Sequence, residues 1–441
     1  MSDRTAAGRL GAAVIAGVTI LGTALVVAPT ASAAPAAAPS ARVTAAAPAT
    51  AAKARPPLSA TDQVVFDRLT SRSTLKALGR DLAGMVTDAT TGQLLWGQTP
   101  LERQVPASNA KLVTAVNALS VLGPATRLRT TVVQGVAPQD VVLVGAGDPS
   151  LSRRNLSTLA TRTATAARAA GLTQLSVFVD DSLFPRPTPA YGWKSSYVPR
   201  DTRAVRALVV NRARRGDTSI AAGRLFAELL KTQGLVVKPK LVARSVAPQA
   251  APVLADVSGQ PIDAIVATML RESDNDYAEA LHRLVAHQAG FATTWTGARL
   301  AQRQVLLSQG VDLGASRLYD GSGLSRANRI SPDGVVRVLS LVFDGQHPAL
   351  VSMQHGSLAI AGRTGTLGPR FRRYTRGPTK CAAGLIEAKT GSLSGVISLS
   401  GFARGADGQI KLFSFLLNSV PSTLTTRRAV DKLAASITGC W

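Results

Sequence analysis

The spacing of hydrophobic and polar positions divides the first part of the chain into a helix, a hairpin and a second helix. Apolar residues recur at helical spacing over residues 61–78, and two short apolar runs then flank a polar turn that contains Gly92. The predicted elements are a helix at 61–78, strands at 82–87 and 94–96, and a helix that follows Pro106 and runs through Leu119.

The remainder of the chain has mixed elements in its middle and a strand-rich segment near its end. Strand-like runs at 171–180 and 234–242 precede a long amphipathic helical stretch at 262–287. Three consecutive strands are predicted at 384–388, 396–403 and 410–418, followed by a helix at 423–437. Because a sheet begins near residue 82 and resumes near residue 384, the pattern predicts an α+β domain that carries a large insertion.

The N-terminal residues have the features of an export signal. Arg4 and Arg9 precede an uncharged stretch at 10–28. Ala31-Ser32-Ala33 has the small-residue pattern at which signal peptidases cut. An uncleaved membrane anchor is the alternative, since nineteen residues just span a bilayer. We predict a signal peptide at 1–33, a disordered Ala/Pro spacer at 34–57, and a protein located outside the cytoplasm, in the cell wall or on the outer face of the membrane.

The chain of 441 residues is 46% apolar and 17% charged, as in soluble globular proteins, and its formal net charge is +24. A charge of this size usually indicates nucleic acid, but an exported chain meets anionic wall polymers and peptidoglycan carboxylates instead. Two basic groups are either contacts for such polyanions or ordinary solvated faces. They are Arg370, Arg372, Arg373 and Arg376 with Lys380, and Arg212, Arg214 and Arg215.

Cys381 and Cys440 are the two cysteines of the chain. In an exported protein this pair predicts a disulfide. Neither HExxH nor CxxC occurs, and the four histidines are scattered. We therefore expect no metal site and no cofactor.

A serine and a lysine stand three residues apart at the start of the helix behind Pro106, in Ser108-Asn109-Ala110-Lys111. This spacing places both side chains on one helix face, where a neutral lysine can take the serine proton. A helix N-terminus disfavours the ammonium form, and its free N–H groups can stabilise an oxyanion. Ser73 and Lys76 have the same spacing but lie inside the first predicted helix, so we assign Ser108 as nucleophile and Lys111 as base.

The helical stretch at 262–287 contains Ser273-Asp274-Asn275. This sequence is either a simple polar interruption of the helix or part of the site. In the second interpretation, Ser273 relays a proton between Lys111 and the leaving amine, and Asn275 holds the peptide backbone of the substrate.

Lys389-Thr390-Gly391 ends the first of the three C-terminal strands. A lysine and a hydroxyl at a strand edge suit a substrate carboxylate, and glycine allows close approach of a backbone. An ordinary strand end is the alternative. Arg363-Thr364-Gly365 is a competing match, but only Lys389 leads into the run of strands at 396–418. We predict that Lys111 is neutral and that a bound carboxylate keeps Lys389 protonated.

The three motifs, in this order on helix, helix and strand, resemble those of the penicillin-recognising serine enzymes. The wider sequence resembles the class C low-molecular-mass penicillin-binding proteins, the D-alanyl-D-alanine carboxypeptidase/endopeptidases. The resemblance runs from about residue 60 to the end, and the stretches that support it are 143–151, 179–184, 207–212, 320–326 and 395–402.

This resemblance implies an α+β penicillin-recognising serine peptidase domain, with an antiparallel sheet and helices, that is split by an inserted region of mixed α/β elements. The implied boundaries are 58–127 and 258–441 for the two peptidase parts and 128–257 for the insertion. The implied substrates are peptidoglycan stem peptides, which pass through an acyl-enzyme, and β-lactams are the implied covalent inhibitors. No nucleic acid is expected as a partner.

The resemblance also assigns roles to individual residues. Ser108, Lys111 and Ser273 are the implied catalytic residues, and the implied substrate-binding residues are Asn275, Lys389, Thr390, Gly391 and Ser392. The backbone N–H groups of Ser108 and Ser392 would form the oxyanion hole. Two positions depart from the family pattern: Arg363 lies near Gly-Thr-Leu where an acidic residue is usual, and Ser392 replaces a threonine.

Two other functions fit the sequence less well. A β-lactamase needs a group that activates the deacylating water, and the Glu-x-x-Leu-Asn sequence of one lactamase class is absent. A wall-binding protein without turnover would not need Ser108, Lys111, Ser273 and Lys389 all intact. A Gly-x-Ser-x-Gly elbow is also absent.

Overall fold

The computed structural model describes residues 57–214 and 216–440, and from Pro57 onward the chain forms one compact unit. The predicted signal peptide and, apart from Pro57, the predicted spacer lie outside the described residues. Within the described ranges, no helix is long and apolar enough to cross a membrane.

The N-terminal part of the fold contributes two helices and a hairpin. Its elements are α1 (Ala60–Ser73), β1 (Leu82–Asp88), β2 (Leu94–Gln98) and α2 (Ala110–Leu122). Ser59 caps α1, because its hydroxyl accepts a hydrogen bond from the Asp62 N–H. The predicted first helix extended to residue 78, whereas α1 ends at Ser73 and a separate 3-10 turn covers Lys76–Leu78. The hairpin and the second helix are confirmed.

The middle of the chain builds a second, mixed sheet with helices packed against it. Its elements are β3 (Arg127–Gln134), β4 (Asp140–Val144), α3 (Arg153–Ala169), β5 (Gln174–Asp180), α4 (Tyr197–Arg200), α5 (Thr218–Thr232), β6 (Val236–Val237), β7 (Ala243–Arg244) and β8 (Val253–Pro261). The sheet order is β6-β5-β4-β3-β8, and β7 also pairs with β5. The strand predicted at 234–242 shrinks to two residues because Pro239 begins a 3-10 turn.

The C-terminal part completes the first sheet. Its elements are α6 (Ile262–Glu272), α7 (Asn275–Gln288), α8 (Trp295–Ser308), α9 (Pro332–Ser340), β9 (Ala359–Ile360), β10 (Ile386–Leu393), β11 (Val396–Arg404), β12 (Ile410–Asn418) and α10 (Leu424–Ile437). The order β2-β1-β12-β11-β10-β9 is antiparallel throughout, which confirms the predicted α+β class.

The antiparallel sheet is covered on both faces. Alternate residues of β12 point to opposite sides, so Leu412 and Leu416 pack against the group α2, α6, α7, α8 and α9, while Phe413 and Phe415 pack with α1 and α10. A buried ion cluster ties α1 to this sheet: the Lys411 ammonium lies 3.0 Å from carboxylate oxygens of both Asp62 and Asp88. The sheet is therefore the central layer between two groups of helices.

Two predicted elements near the site need correction. The helix expected at 262–287 is two helices, because Ser273 adopts a left-handed conformation (φ 60°) and Asp274 caps a new helix. The strand expected to end at residue 388 continues to Leu393, since its pairing with β11 runs on to Leu393↔Val396. The whole lysine motif thus lies within β10.

The predicted disulfide joins Cys381 to Cys440, whose Cα atoms are 5.8 Å apart. We expect denatured protein without reductant to expose no free thiol in a thiol titration. Replacing both cysteines by serine should lower the free energy of unfolding by about 4 kcal/mol, because a loop of about 60 residues is released in the unfolded chain. Urea denaturation measures that loss. Two titratable thiols per chain would contradict the pairing.

Candidate active site

Ser108 lies in a 3-10 turn, Ala107–Asn109, that leads directly into α2. Ala107 is fully buried and has a positive φ of 47°, a conformation that costs an alanine about 1–2 kcal/mol. A Cβ atom at Gly323 would overlap the Ala107 carbonyl, so the glycine lets the 320–326 loop close over this turn. The turn that presents the nucleophile is therefore held by its packing.

Lys111 projects from α2 toward Ser108, as the helical spacing predicted. Its Nζ is 3.2 Å from Ser108 Oγ, 2.7 Å from Asn275 Oδ1 and 2.7 Å from the Ser322 carbonyl oxygen. The side chain has no exposed surface. The two residues predicted as nucleophile and base are thus in contact, and two further acceptors fix the lysine nitrogen.

Burial lowers the pKa of Lys111 to about 8, and the carboxylates of Glu279, Asp320, Asp274 and Asp276 oppose that shift. Lowering of this pKa was predicted from the helix N-terminus, whereas burial is its largest cause. A substantial fraction of Lys111 is therefore neutral near pH 8 and able to accept a proton.

Ser273 and Lys389 form a second polar pair in the site. Lys389 Nζ donates to Ser273 Oγ over 2.9 Å and to the Thr390 carbonyl oxygen over 2.7 Å. The left-handed conformation of Ser273, between α6 and α7, turns its hydroxyl toward β10. Ser273-Asp274-Asn275 therefore interrupts the helix and also brings the Ser273 hydroxyl to the cleft, so the two interpretations of this sequence are compatible.

Lys389 occupies a different position from the one expected. It was predicted at a strand edge, free to hold a carboxylate, but its side chain is completely buried. Burial and the charge of Lys111 lower the pKa of Lys389 well below its usual range, and no carboxylate appears among the main influences on it. The burial of the Lys389 side chain was therefore not predicted, and the protonation of Lys389 by a bound carboxylate stays a prediction.

The outer edge of β10 forms one wall of a cleft. Strand β9 pairs with β10 at Glu387 and Ala388, and within residues 57–214 and 216–440 the edge from residue 389 onward has no strand partner. The cleft measures about 680 Å³, including the part open to solvent. It is lined by Ser108, Ser273, Thr366, Phe371, Arg373, Thr390, Gly391, Ser392, Ile397, Ser398 and Arg427.

Gly391 has a packing role that differs from the predicted one. It was expected to admit the substrate backbone, but a Cβ atom there would overlap Ser398 Oγ and lie 2.9 Å from the Pro106 carbonyl oxygen. Ser398 Oγ in turn donates to that same carbonyl over 2.7 Å. The glycine therefore allows the strand to approach the turn that carries Ser108.

The structure also separates the two competing motifs from the site. Ser73 ends α1, where its hydroxyl donates to the Thr70 carbonyl oxygen, and Lys76 is exposed. Arg363 is not among the residues that line the cleft. Thr366, three residues further along the chain, does line it, and its Oγ1 lies 2.7 Å from Thr390 Oγ1. The preference for Ser108 over Ser73 as a member of this cluster is thus supported by position.

Sequence reasoning missed several groups that support the site. Glu279 is fully buried and accepts from the N–H groups of Gly321 (3.0 Å) and Ser322 (2.8 Å), which fixes the carbonyl that contacts Lys111. Its four-residue spacing from Asn275 on α7 was the available signal. Asn275 Nδ2 donates to the Asp201 carbonyl oxygen over 2.8 Å, a backbone contact with no sequence signal. In the described ranges, no His, Cys, Asp or Glu cluster could hold a metal ion.

The fold is that of a penicillin-binding protein. Penicillin-binding protein 4 of Haemophilus influenzae superposes with a TM-score of 0.72 at 20% identity, covering 83% of this chain and 97% of that one. The same protein complexed with a β-lactam gives a TM-score of 0.64, with coverages of 83% and 98%.

The sequence comparisons define the family. The model of the D-Ala-D-Ala carboxypeptidase 3 (S13) family matches residues 67–214 and 198–437. A carboxypeptidase of Mycobacterium tuberculosis is 34% identical, with 81% of this chain and 80% of the relative covered. A D-alanyl-D-alanine carboxypeptidase of an Actinomadura species is 30% identical, with coverages of 80% and 81%. The chain belongs to the S13 family and is a serine-type D-Ala-D-Ala carboxypeptidase, which confirms the resemblance found in the sequence.

The buried carboxylate of Glu279 should raise the pH at which Lys111 becomes neutral. With Lys111 as the predicted base, the wild-type acylation rate should rise with pH through a midpoint near pH 8 and then level off. Glu279→Gln removes a charge that favours the ammonium form, which should lower the pKa of Lys111 and move the inflection to lower pH. Stopped-flow acylation by nitrocefin from pH 6 to 10 measures the shift.

The Gly321 and Ser322 N–H groups donate to different oxygens of Glu279, and a glutamine has one acceptor oxygen, so the variant keeps one of these two hydrogen bonds. Circular dichroism and thermal denaturation check that the variant stays folded. Glu228→Gln, at an exposed site in the insertion, removes the same charge and should leave the inflection unchanged. An inflection that stays in place or rises in Glu279→Gln would show that this carboxylate does not act on Lys111.

Proposed function

We propose that the enzyme hydrolyses the terminal D-Ala-D-Ala bond of peptidoglycan stem peptides through an acyl-enzyme on Ser108, and that β-lactams acylate the same serine. One observation carries this proposal: Ser108 Oγ lies 3.2 Å from the ammonium nitrogen of a fully buried lysine. A serine hydroxyl becomes a useful nucleophile only when such a base takes its proton.

Acylation begins when neutral Lys111 takes the Ser108 proton and Ser108 Oγ bonds to the carbonyl carbon of the penultimate D-Ala. The backbone N–H groups of Ser108 and Ser392 stabilise the oxyanion that forms. The amide C–N bond then breaks, and the proton held by Lys111 passes through Ser273 to the leaving amine. Ser273 accepts a hydrogen bond from Lys389, which leaves its own O–H proton free to be donated.

Deacylation reverses the roles of the same groups. A water molecule adds to the acyl carbon and its proton goes to Lys111. The Ser108 C–O bond then breaks and the serine oxygen takes the proton back. The net reaction consumes one water and releases the shortened peptide and D-Ala.

Asn275 and Thr390 have substrate-binding roles in this proposal. Asn275 positions the peptide backbone, and its amide is held by Lys111 on one side and by the Asp201 carbonyl on the other. Thr390 lies on the open edge of β10 and its hydroxyl donates to Thr366 Oγ1 in the free enzyme. When substrate binds, the hydroxyl turns to donate to the terminal carboxylate instead. Lys389 acts indirectly, since its contacts are with Ser273 and the backbone of Thr390.

Export belongs to the same proposal, since peptidoglycan lies outside the cytoplasm. The charge pattern of residues 1–33 and the Cys381–Cys440 disulfide support it. The net charge of +24 favours contact with anionic wall polymers over a neutral surface.

Ser108→Ala should abolish covalent labelling by a fluorescent penicillin, because no oxygen remains to form the ester. Ser73→Ala is the matched control, since Ser73 has the same Ser-x-x-Lys spacing but lies on α1, and it should label like wild type. Gel fluorescence and intact-mass spectrometry measure the adduct. Labelling that is lost with Ser73 and kept with Ser108→Ala would refute the assignment of the nucleophile.

Lys111→Arg should slow acylation by about 10²- to 10⁴-fold, because a guanidinium stays protonated and cannot act as the base. Lys76→Arg, at the exposed lysine of the competing motif, should change the rate little. Rapid-quench labelling with penicillin gives both rates. If Lys111→Arg acylated within about threefold of wild type, a different group would have to be the base.

A further inference from the structure

Arg427, on α10, extends into the active-site cleft. It lines the cleft together with Ser108, Thr390 and Ser392. One of its guanidinium nitrogens, Nη2, donates to Ser392 Oγ over 3.2 Å. The side chain is partly exposed, so its charge is directed at the space that a substrate would enter.

The other cations at the cleft are engaged elsewhere. Arg373 is buried and forms a bidentate ion pair with Asp431, with two contacts of 2.5 Å. Lys389 is buried behind the edge of β10 and donates to Ser273 and the Thr390 carbonyl. Arg427 thus differs from the other lysines and arginines of residues 57–214 and 216–440 that line the cleft or lie behind β10. It lines the cleft and has no carboxylate partner among the described residues.

The charged group with the largest influence on Arg427 is itself a cation, Arg373. A guanidinium next to another cation and without an acidic partner gains more from a bound anion than one already in an ion pair. Because an arginine side chain stays charged near neutral pH, this positive charge does not depend on the protonation of Lys111 or Lys389.

We propose that Arg427 is a specificity-determining residue that binds the terminal carboxylate of the substrate, together with the hydroxyls of Ser392 and Thr390. This inference rests on the proposed function. Thr390 and Ser392 are two residues apart on β10, so their side chains lie on the same face of the strand. Ser392 Oγ accepts from Arg427 and keeps its own proton for the carboxylate, while the guanidinium fork can donate to both carboxylate oxygens.

Selection of a free C-terminus follows from this arrangement. A peptide that ends in a carboxylate offers a charge to Arg427, whereas the same peptide ending in a carboxamide offers none and places a second donor group opposite the guanidinium. The enzyme should therefore prefer the acid over the amide, and Arg427 should account for most of that preference.

The test compares a diacyl-L-Lys-D-Ala-D-Ala peptide with its C-terminal carboxamide in three proteins: wild type, Arg427→Gln and Arg428→Gln. Arg428 is the next residue of α10, is exposed, and its replacement removes the same charge. Chromatography of the released D-Ala or D-alaninamide gives kcat/KM for each substrate. We expect the acid-to-amide ratio to fall by about 10- to 100-fold in Arg427→Gln, through loss of rate on the acid. Arg428→Gln should keep the wild-type ratio.

Arg427→Lys provides a second variant in case the glutamine protein folds poorly. It keeps the charge but loses the fork, so it should retain an intermediate ratio. An unchanged ratio in Arg427→Gln, an equal fall in Arg428→Gln, or an equal loss on acid and amide would each overturn the inference. A wild-type protein that cleaves neither peptide and forms no penicillin adduct would instead overturn the proposed function and the inference with it.

Discussion

The burial of the Lys111 ammonium group is the constraint on which the site depends. A lysine without exposed surface needs acceptors, and here they are Ser108, Asn275 and Ser322. Each acceptor comes from a different segment: the turn before α2, the start of α7, and the 320–326 loop. Satisfying one buried nitrogen therefore requires all three segments to meet at a single point.

Residues within 201–214, in the segment predicted to be an insertion, help to fix the start of α7. Asp276, one residue after Asn275, is buried and accepts from the Arg203 N–H (2.7 Å), Thr202 Oγ1 (3.0 Å) and Arg214 Nε (3.0 Å). The Asp201 carbonyl accepts from Asn275 itself. These partners all lie within 201–214, in the segment that the sequence predicts to be an insertion. That segment thus helps to fix the start of α7 and the position of Asn275.

The sequence predicted the fold class and the members of the site better than it predicted their surroundings. Helical spacing and strand patterns indicate which side chains lie near one another before the tertiary structure is known. They were enough to identify four residues that cluster at the cleft: Ser108, Lys111, Ser273 and Lys389. The left-handed conformation of Ser273 could not be predicted, since serine rarely adopts it and only the tertiary contact with Lys389 explains it. The extension of β10 through Lys389-Thr390-Gly391 was missed because these residues resemble a strand end, whereas their pairing with β11 decides the matter.

The sequence also did not predict the burial of Lys389, and burial affects whether a side chain carries a charge. Lysine and arginine are both cations in a sequence, but burial discriminates between them: it lowers the pKa of a lysine toward neutrality and leaves an arginine charged. Four carboxylates partly offset the lowering of the Lys111 pKa by burial. For Lys389, burial and the charge of Lys111 both lower the pKa. The two lysines are therefore suited to proton transfer and hydrogen bonding. A permanent positive charge, where substrate binding needs one, is better supplied by the partly exposed guanidinium of Arg427.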